Sequence, residues 1–107
     1  MRERFDELVA EYADVSGVSP PEAHGSSGFG SSALKVDGRI FAMFVRGRLV
    51  LKLPRGRVDE LVAAGEGVRF DANKGTPMKE WLSLDPESGL VWRSLSDEAL
   101  AFVSKRR

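Results

Sequence analysis

The stretch Ala33–Leu53, ALKVDGRIFAMFVRGRLVLKL, decides the fold class. Asp37-Gly38 is a type I′ hairpin signal, since both central residues of that turn need positive φ and Asp-Gly supplies them cheaply. It separates Ala33–Val36 from Arg39–Val45, which read as the first two strands. Arg46-Gly47-Arg48 reads as a second, three-residue turn, and Leu49–Leu53 as a third strand. The result is an antiparallel meander. That register pairs Val36 with Arg39, Leu34 with Phe41, Val45 with Leu49, Met43 with Leu51 and Phe41 with Leu53. One face then carries Leu34, Val36, Phe41, Met43, Val45, Leu49, Leu51 and Leu53 and reads as the core. The other carries Ala33, Lys35, Ile40, Ala42, Phe44, Val50 and Lys52, an apolar strip with two lysines.

Outward from the meander, the spacing predicts helices. On the N-terminal side, Phe5, Leu8, Val9 and Tyr12 form one apolar stripe among Arg and Glu, closed by Ser16-Gly17. Residues 17–32 read as a Pro/Gly/Ser loop anchored by Phe29. On the C-terminal side, Pro54 suits the first turn of a second helix with Val58, Leu61 and Val62 inward, stopped by Gly65 and Gly67. A long connection follows over residues 66–79, anchored by Phe70 and Met78. Glu80–Leu84 reads as a fourth strand holding Trp81, and Leu90–Arg93 as a fifth strand or irregular. A last helix, capped by Ser94 or Ser96, carries Leu95, Ala99, Phe102 and Val103 and ends on Lys105-Arg106-Arg107. This pattern is α+β: an antiparallel sheet of three meander strands plus one or two more, with helices packed on it in two layers. At 107 residues the chain fits one domain, residues 1–107.

Composition narrows function by exclusion. With 42% hydrophobic and 30% charged residues the chain has a globular composition. No cysteine is present, so disulfides, thiolate metal sites and Cys nucleophiles are excluded. The N-terminus is charged throughout, with no apolar signal core, and the longest apolar runs are Ile40–Val45 and Leu49–Leu51. A cytoplasmic protein with no membrane partner is the expectation.

Catalytic signals are weak. The single His, His24, lies in the Pro/Gly/Ser loop near Ser26, Ser27, Ser31 and Ser32, a composition that favours a surface histidine over a triad. Glu22-x-His24 lacks a third metal ligand. Asp71-x-Asn73-x-Gly75 starts like a calcium loop but has Leu82 where the closing Glu belongs. Gly25-Ser-Ser-Gly28-Phe-Gly30 has no preceding strand or following helix, and Lys74-Gly75-Thr76 lacks the upstream glycine of a P-loop. Asp59-Glu60 and Asp97-Glu98 read as first-turn acids that favour a helix dipole. No catalytic residue, cofactor or metal is expected, and the chain reads as a non-enzyme.

Charge distribution says more. Equal totals of 16 Lys+Arg and 16 Asp+Glu hide a local excess. Residues 25–57 hold seven cations (Lys35, Arg39, Arg46, Arg48, Lys52, Arg55, Arg57) against Asp37, a net of +6, while residues 1–24 hold two basic and six acidic groups, net −4. A basic strand surface with an aromatic can contact phosphates and stack on a base. The competing readings are solvating charges at sheet edges and pairing with the acidic first helix.

The segments FGSSALKVDGRIFAMF (Phe29–Phe44), LVLKLP (Leu49–Pro54), RVDELVAAGEG (Arg57–Gly67), GTPMKEWLSL (Gly75–Leu84) and EALAFV (Glu98–Val103) resemble the TfoX/Sxy N-terminal domain and the related MmcQ/YjbR proteins. That resemblance implies a small α+β fold like that of secretion chaperones and a DNA-binding, transcription-related role. It carries over no catalytic residue, and marks Lys35, Lys52 and Lys79-x-Trp81 as the polar positions of interest. The leading expectation is a binding module for duplex DNA using the seven cations. A protein-interaction or homodimer face of Ile40, Phe44 and Val50 is the alternative, and a small-molecule or hydrolytic site near His24 is a third.

Overall fold

The computed structural model describes residues 2–19, 33–71 and 78–105. Within them the chain is α+β: six antiparallel strands with three helices packed on the sheet. His24, Phe29 and the Gly/Ser segment lie outside the described residues, as do Asn73–Gly75.

The first helix, α1, spans Arg2–Glu11 and buries Phe5 and Leu8. Tyr12, just past its end, is buried as well. The helix stops short of Gly17, because the chain tightens into successive three-residue turns: the amide of Tyr12 donates to Val9 O, that of Val15 to Tyr12 O and that of Val18 to Val15 O. Gly17, at φ +83°, then swings the backbone into a strand. This strand, β1 (Val18–Ser19), pairs with β2 (Ala33–Val36) through Val18↔Val36, so the residues expected to open a loop add an edge strand instead.

β2, β3 (Arg39–Val45) and β4 (Arg48–Lys52) form the expected meander. Asp37 and Gly38 both have positive φ, as the first turn requires. The second turn differs from expectation. Arg46 and Gly47 have φ of 52° and 78°, so it has two residues and pairs Val45 with Arg48, Phe44 with Leu49 and Met43 with Val50. A one-residue slip sends side chains to the opposite face.

A β-bulge compounds the change. Leu34 pairs with Ala42 and Lys35 with Ile40, leaving Phe41 as the extra residue. Phe41 and Ala42 are consequently both fully buried on the helix side. Met43 and Val45, expected in the main core, face the other way, and Phe44, expected outside, stacks on Phe5 of α1 at 5.4 Å.

The second helix, α2, spans Arg55–Ala63, with Pro54 as the N-cap residue just before its first turn. It ends in a Schellman arrangement. The amide of Gly65 (φ +79°) donates to Val62 O and that of Glu66 to Leu61 O. Gly67 has a different task from stopping the helix. It opens strand β5 (Gly67–Arg69), where a Cβ would stand 2.5 Å from the Ser83 carbonyl oxygen. The expected connection over 66–79 therefore contains a strand, paired with β6 (Trp81–Leu84). The sheet order is β1-β2-β3-β4-β6-β5.

The third helix, α3, covers Trp92–Lys105. Ser94 and Ser96 lie inside it rather than capping it, and Trp92 is helical, not a strand residue. Asp59-Glu60 and Asp97-Glu98 lie beyond the first turns expected for them and are held by ion pairs instead.

Helix-side residues Phe5, Leu8, Tyr12, Val58, Leu61, Leu95, Ala99 and Val103 close one core with Leu49, Leu51, Leu82 and Leu84 of the sheet. A smaller cluster covers the outer face, where Ala33, Met43, Val50 and Phe70 are buried beside Ile40, Val45, Met78 and Trp81. Phe70 and Met78 thus act as the expected anchors.

Candidate functional site

The structure divides the seven meander cations. Arg57 leaves the outer sheet surface for the helix layer, where its guanidinium makes a two-pronged contact with Glu98 of α3 at 2.9 and 3.2 Å and reaches Glu60 at 3.2 Å. Those carboxylates raise its pKa. Arg46 and Arg48 sit at the β3–β4 turn. Arg48 donates to the carbonyls of Leu84 and Ser83, and Arg46 to the carbonyl of Asp71 while lying 5.8 Å from the Phe70 ring. Each is spent on holding a strand end. Lys35 lies half-buried on the outer side of β2.

The remaining three, Arg39, Lys52 and Arg55, gather at the opposite end of the sheet together with Lys79. Pairing of Lys52 with Trp81 across β4 and β6 fixes the centre of this end. Lys52 Nζ stands 5.2 Å from the indole centroid and 3.3 Å from Glu80. Arg39, Arg55 and Lys79 are exposed and make no ion pair or hydrogen bond among the described residues. Two open cavities meet at Lys52 and Trp81. One, of ≈ 570 Å³, runs toward Arg39 and Ile40, and the other, of ≈ 430 Å³, toward Arg55, Met78 and Lys79.

The start of α2 adds to the positive potential there. Its N-cap, Pro54, offers no side-chain cap, and its first turn holds no acid but Arg55 and Arg57. A helix N-terminus carries partial positive charge and is stabilised by anions, so this composition works against the local electrostatics. Arg57 is neutralised by its two glutamates, and Arg55 is not. That signal is present in the sequence Pro-Arg-Gly-Arg, with Pro54 the N-cap rather than a first-turn residue. Glu80, the counter-charge of Lys52, also lay outside the expected set.

The acidic first helix does not neutralise this end. Its Glu11 is bound on the helix side by Arg93 of α3 at 3.3 Å. Arg93 also donates to Asp97, lies 4.4 Å from the Tyr12 ring, and shares Asp97 with the Tyr12 hydroxyl at 2.7 Å. Burial, with Asp97 beside it, pushes the Tyr12 pKa well above that of an ordinary phenol.

The trio Ile40, Phe44 and Val50 does not form one surface. Phe44 is on the helix side, Val50 is fully buried, and Ile40 alone keeps accessible area on the outer face. Among the described residues no three His, Asp or Glu side chains are grouped as a metal would need, and no helix is long and apolar enough to cross a membrane. No protein-family model matches the chain, and neither the curated proteins nor the solved structures contain a significant match to it.

Proposed function

We propose that the chain is a non-enzymatic binding module that takes the phosphate backbone of nucleic acid at the Arg39–Lys52–Arg55–Lys79 end of its sheet. The resemblance of its segments from Phe29 to Val103 to the TfoX N-terminal and YjbR families points to DNA as the nucleic acid, and a cytoplasmic location accords with that role. The observation that carries the reading is the set of uncommitted cations. Arg39, Arg55 and Lys79 have no partner among the described residues, although carboxylates elsewhere engage Arg57, Arg69 and Arg93. Unpaired charge grouped around an aromatic and an uncapped helix start favours a polyanion.

Titration of duplex DNA against salt tests it. Engagement of three or four phosphates predicts a slope of log Kobs against log[salt] of about −3. Absence of binding to duplex and single-stranded DNA alike at low salt, or binding indifferent to salt, overturns the proposal.

A further inference from the structure

We infer that the groove at Trp81 takes an unpaired nucleobase, so that the module binds single-stranded nucleic acid more tightly than a duplex of the same length. The inference rests on the nucleic-acid reading and specifies which form of the polymer the site prefers. Trp81 and Lys52 line both cavities, which are shallow and open to solvent. The indole is half-buried against the outer cluster and belongs to β6, a strand bonded on both sides, so the platform is held rigidly. Ile40 and Met78 supply apolar flanks. The Lys52 ammonium lies over the ring, 5.2 Å from its centroid, on a flexible stem that an incoming base would move aside, and Arg55 and Lys79 line the cavity beyond it, placing cations within reach of the phosphates that would flank a stacked base. Duplex bases have their faces buried in the stack and reach an indole only by flipping out, which costs a few kcal/mol. A single strand offers a face at once. Every base has a π-face, so the preference is for strandedness and not for sequence.

Three probes separate the contributions: an oligothymidylate of about twelve nucleotides, its abasic counterpart with the same phosphates, and the duplex. The thymidylate is expected to bind about tenfold or more tightly than the abasic strand, the gain from stacking one or two bases. Trp81→Leu should bring the two strands to equal affinity, and Trp81→Phe should retain the preference. Equal binding of thymidylate and abasic strand by the wild type overturns the inference while leaving the phosphate reading intact, as does a duplex bound more tightly than the thymidylate. Binding of none of the three overturns both. Trp81 also packs on the outer cluster, so Trp81→Leu counts only if its circular dichroism is native. Should it unfold, the wild-type ratio and Trp81→Phe decide: a preference lost in a folded Trp81→Phe sinks the role assigned to the indole ring face.

Discussion

The helix layer and the Trp81 end of the sheet hold the same kinds of charge and use them differently. On the helix side the arginines are engaged by carboxylates: Arg57 with Glu98 and Glu60, Arg69 with Asp59, and Arg93 with Glu11 and Asp97, which also takes the Tyr12 hydroxyl. At the sheet end only Lys52 has a carboxylate, Glu80, while Arg39, Arg55 and Lys79 have none among the described residues. The chain is neutral overall, with 16 cations and 16 anions, yet the carboxylates that pair with arginines lie on the helix side. Cation count alone therefore does not locate a binding surface; whether each cation already has a partner does.

Variants at the two regions should fail in opposite ways. Reversing charge at the sheet end, with Arg55→Glu and Lys79→Glu together, should weaken DNA binding at low salt by at least about tenfold and flatten the salt slope by about 2, with no loss of melting temperature. Unchanged affinity in titrations would erase the contrast. Tyr12→Phe should do the reverse. Losing the hydrogen bond that buried Tyr12 donates to Asp97 should cost about 1 kcal/mol in denaturant unfolding and leave DNA affinity alone. Arg48→Ala tests engagement against location, since Arg48 belongs to the basic meander yet holds the Leu84 and Ser83 carbonyls. It should lower stability by about 1 kcal/mol with little effect on binding. A large binding defect in a stable Arg48→Ala would extend the site to both sheet ends.

Alkaline titration sharpens the same contrast. Tyr12 is the single tyrosine. Its folded pKa is raised, so the stabilisation it gives is fully present below the unfolded phenol value, near 10, and is lost as pH rises above that value. Tyrosinate absorbance should appear only with unfolding, and the alkaline loss of stability should be smaller in Tyr12→Phe. Tyrosinate formed in the folded protein near the ordinary value would show the clamp open. The smallest effect is expected from Arg55→Glu alone, which places an acid in the uncapped first turn of α2 and should stabilise by about 0.5 kcal/mol.

Much of the layout is legible in the sequence. The stripe of Phe5, Leu8 and Tyr12, the Asp37-Gly38 turn and the anchors Phe70 and Met78 each follow from a strong local pattern. What escapes has physical causes. Arg46-Gly47 turns in two residues because Arg46 accepts a left-handed φ, which its side chain gives no reason to expect. The bulge at Phe41 breaks alternation inside an otherwise regular run. Together they exchange Met43 and Val45 for Ala42 and Phe44 on the helix side, which removes Phe44 from the face assigned to it. β1 and β5 have two and three residues, too few for a period to show. At the site, Lys52 is legible as one of the meander cations, whereas Lys79 and Trp81 are marked only by the resemblance. Their separation from Arg46, Arg48 and Arg57 is not legible, since it depends on which sheet end and which layer each reaches.

The central claim, that phosphates meet the sheet end and not the helix layer or the Arg46 turn, is most directly tested by amide chemical-shift mapping during titration with DNA. The account predicts shifts concentrated at residues 38–40, 52–57 and 78–82, with residues 46–48 and the α1–α3 contact around Tyr12 and Asp97 unmoved. Shifts centred on residues 46–48 or on the helix layer, or none at all under low salt, would contradict it.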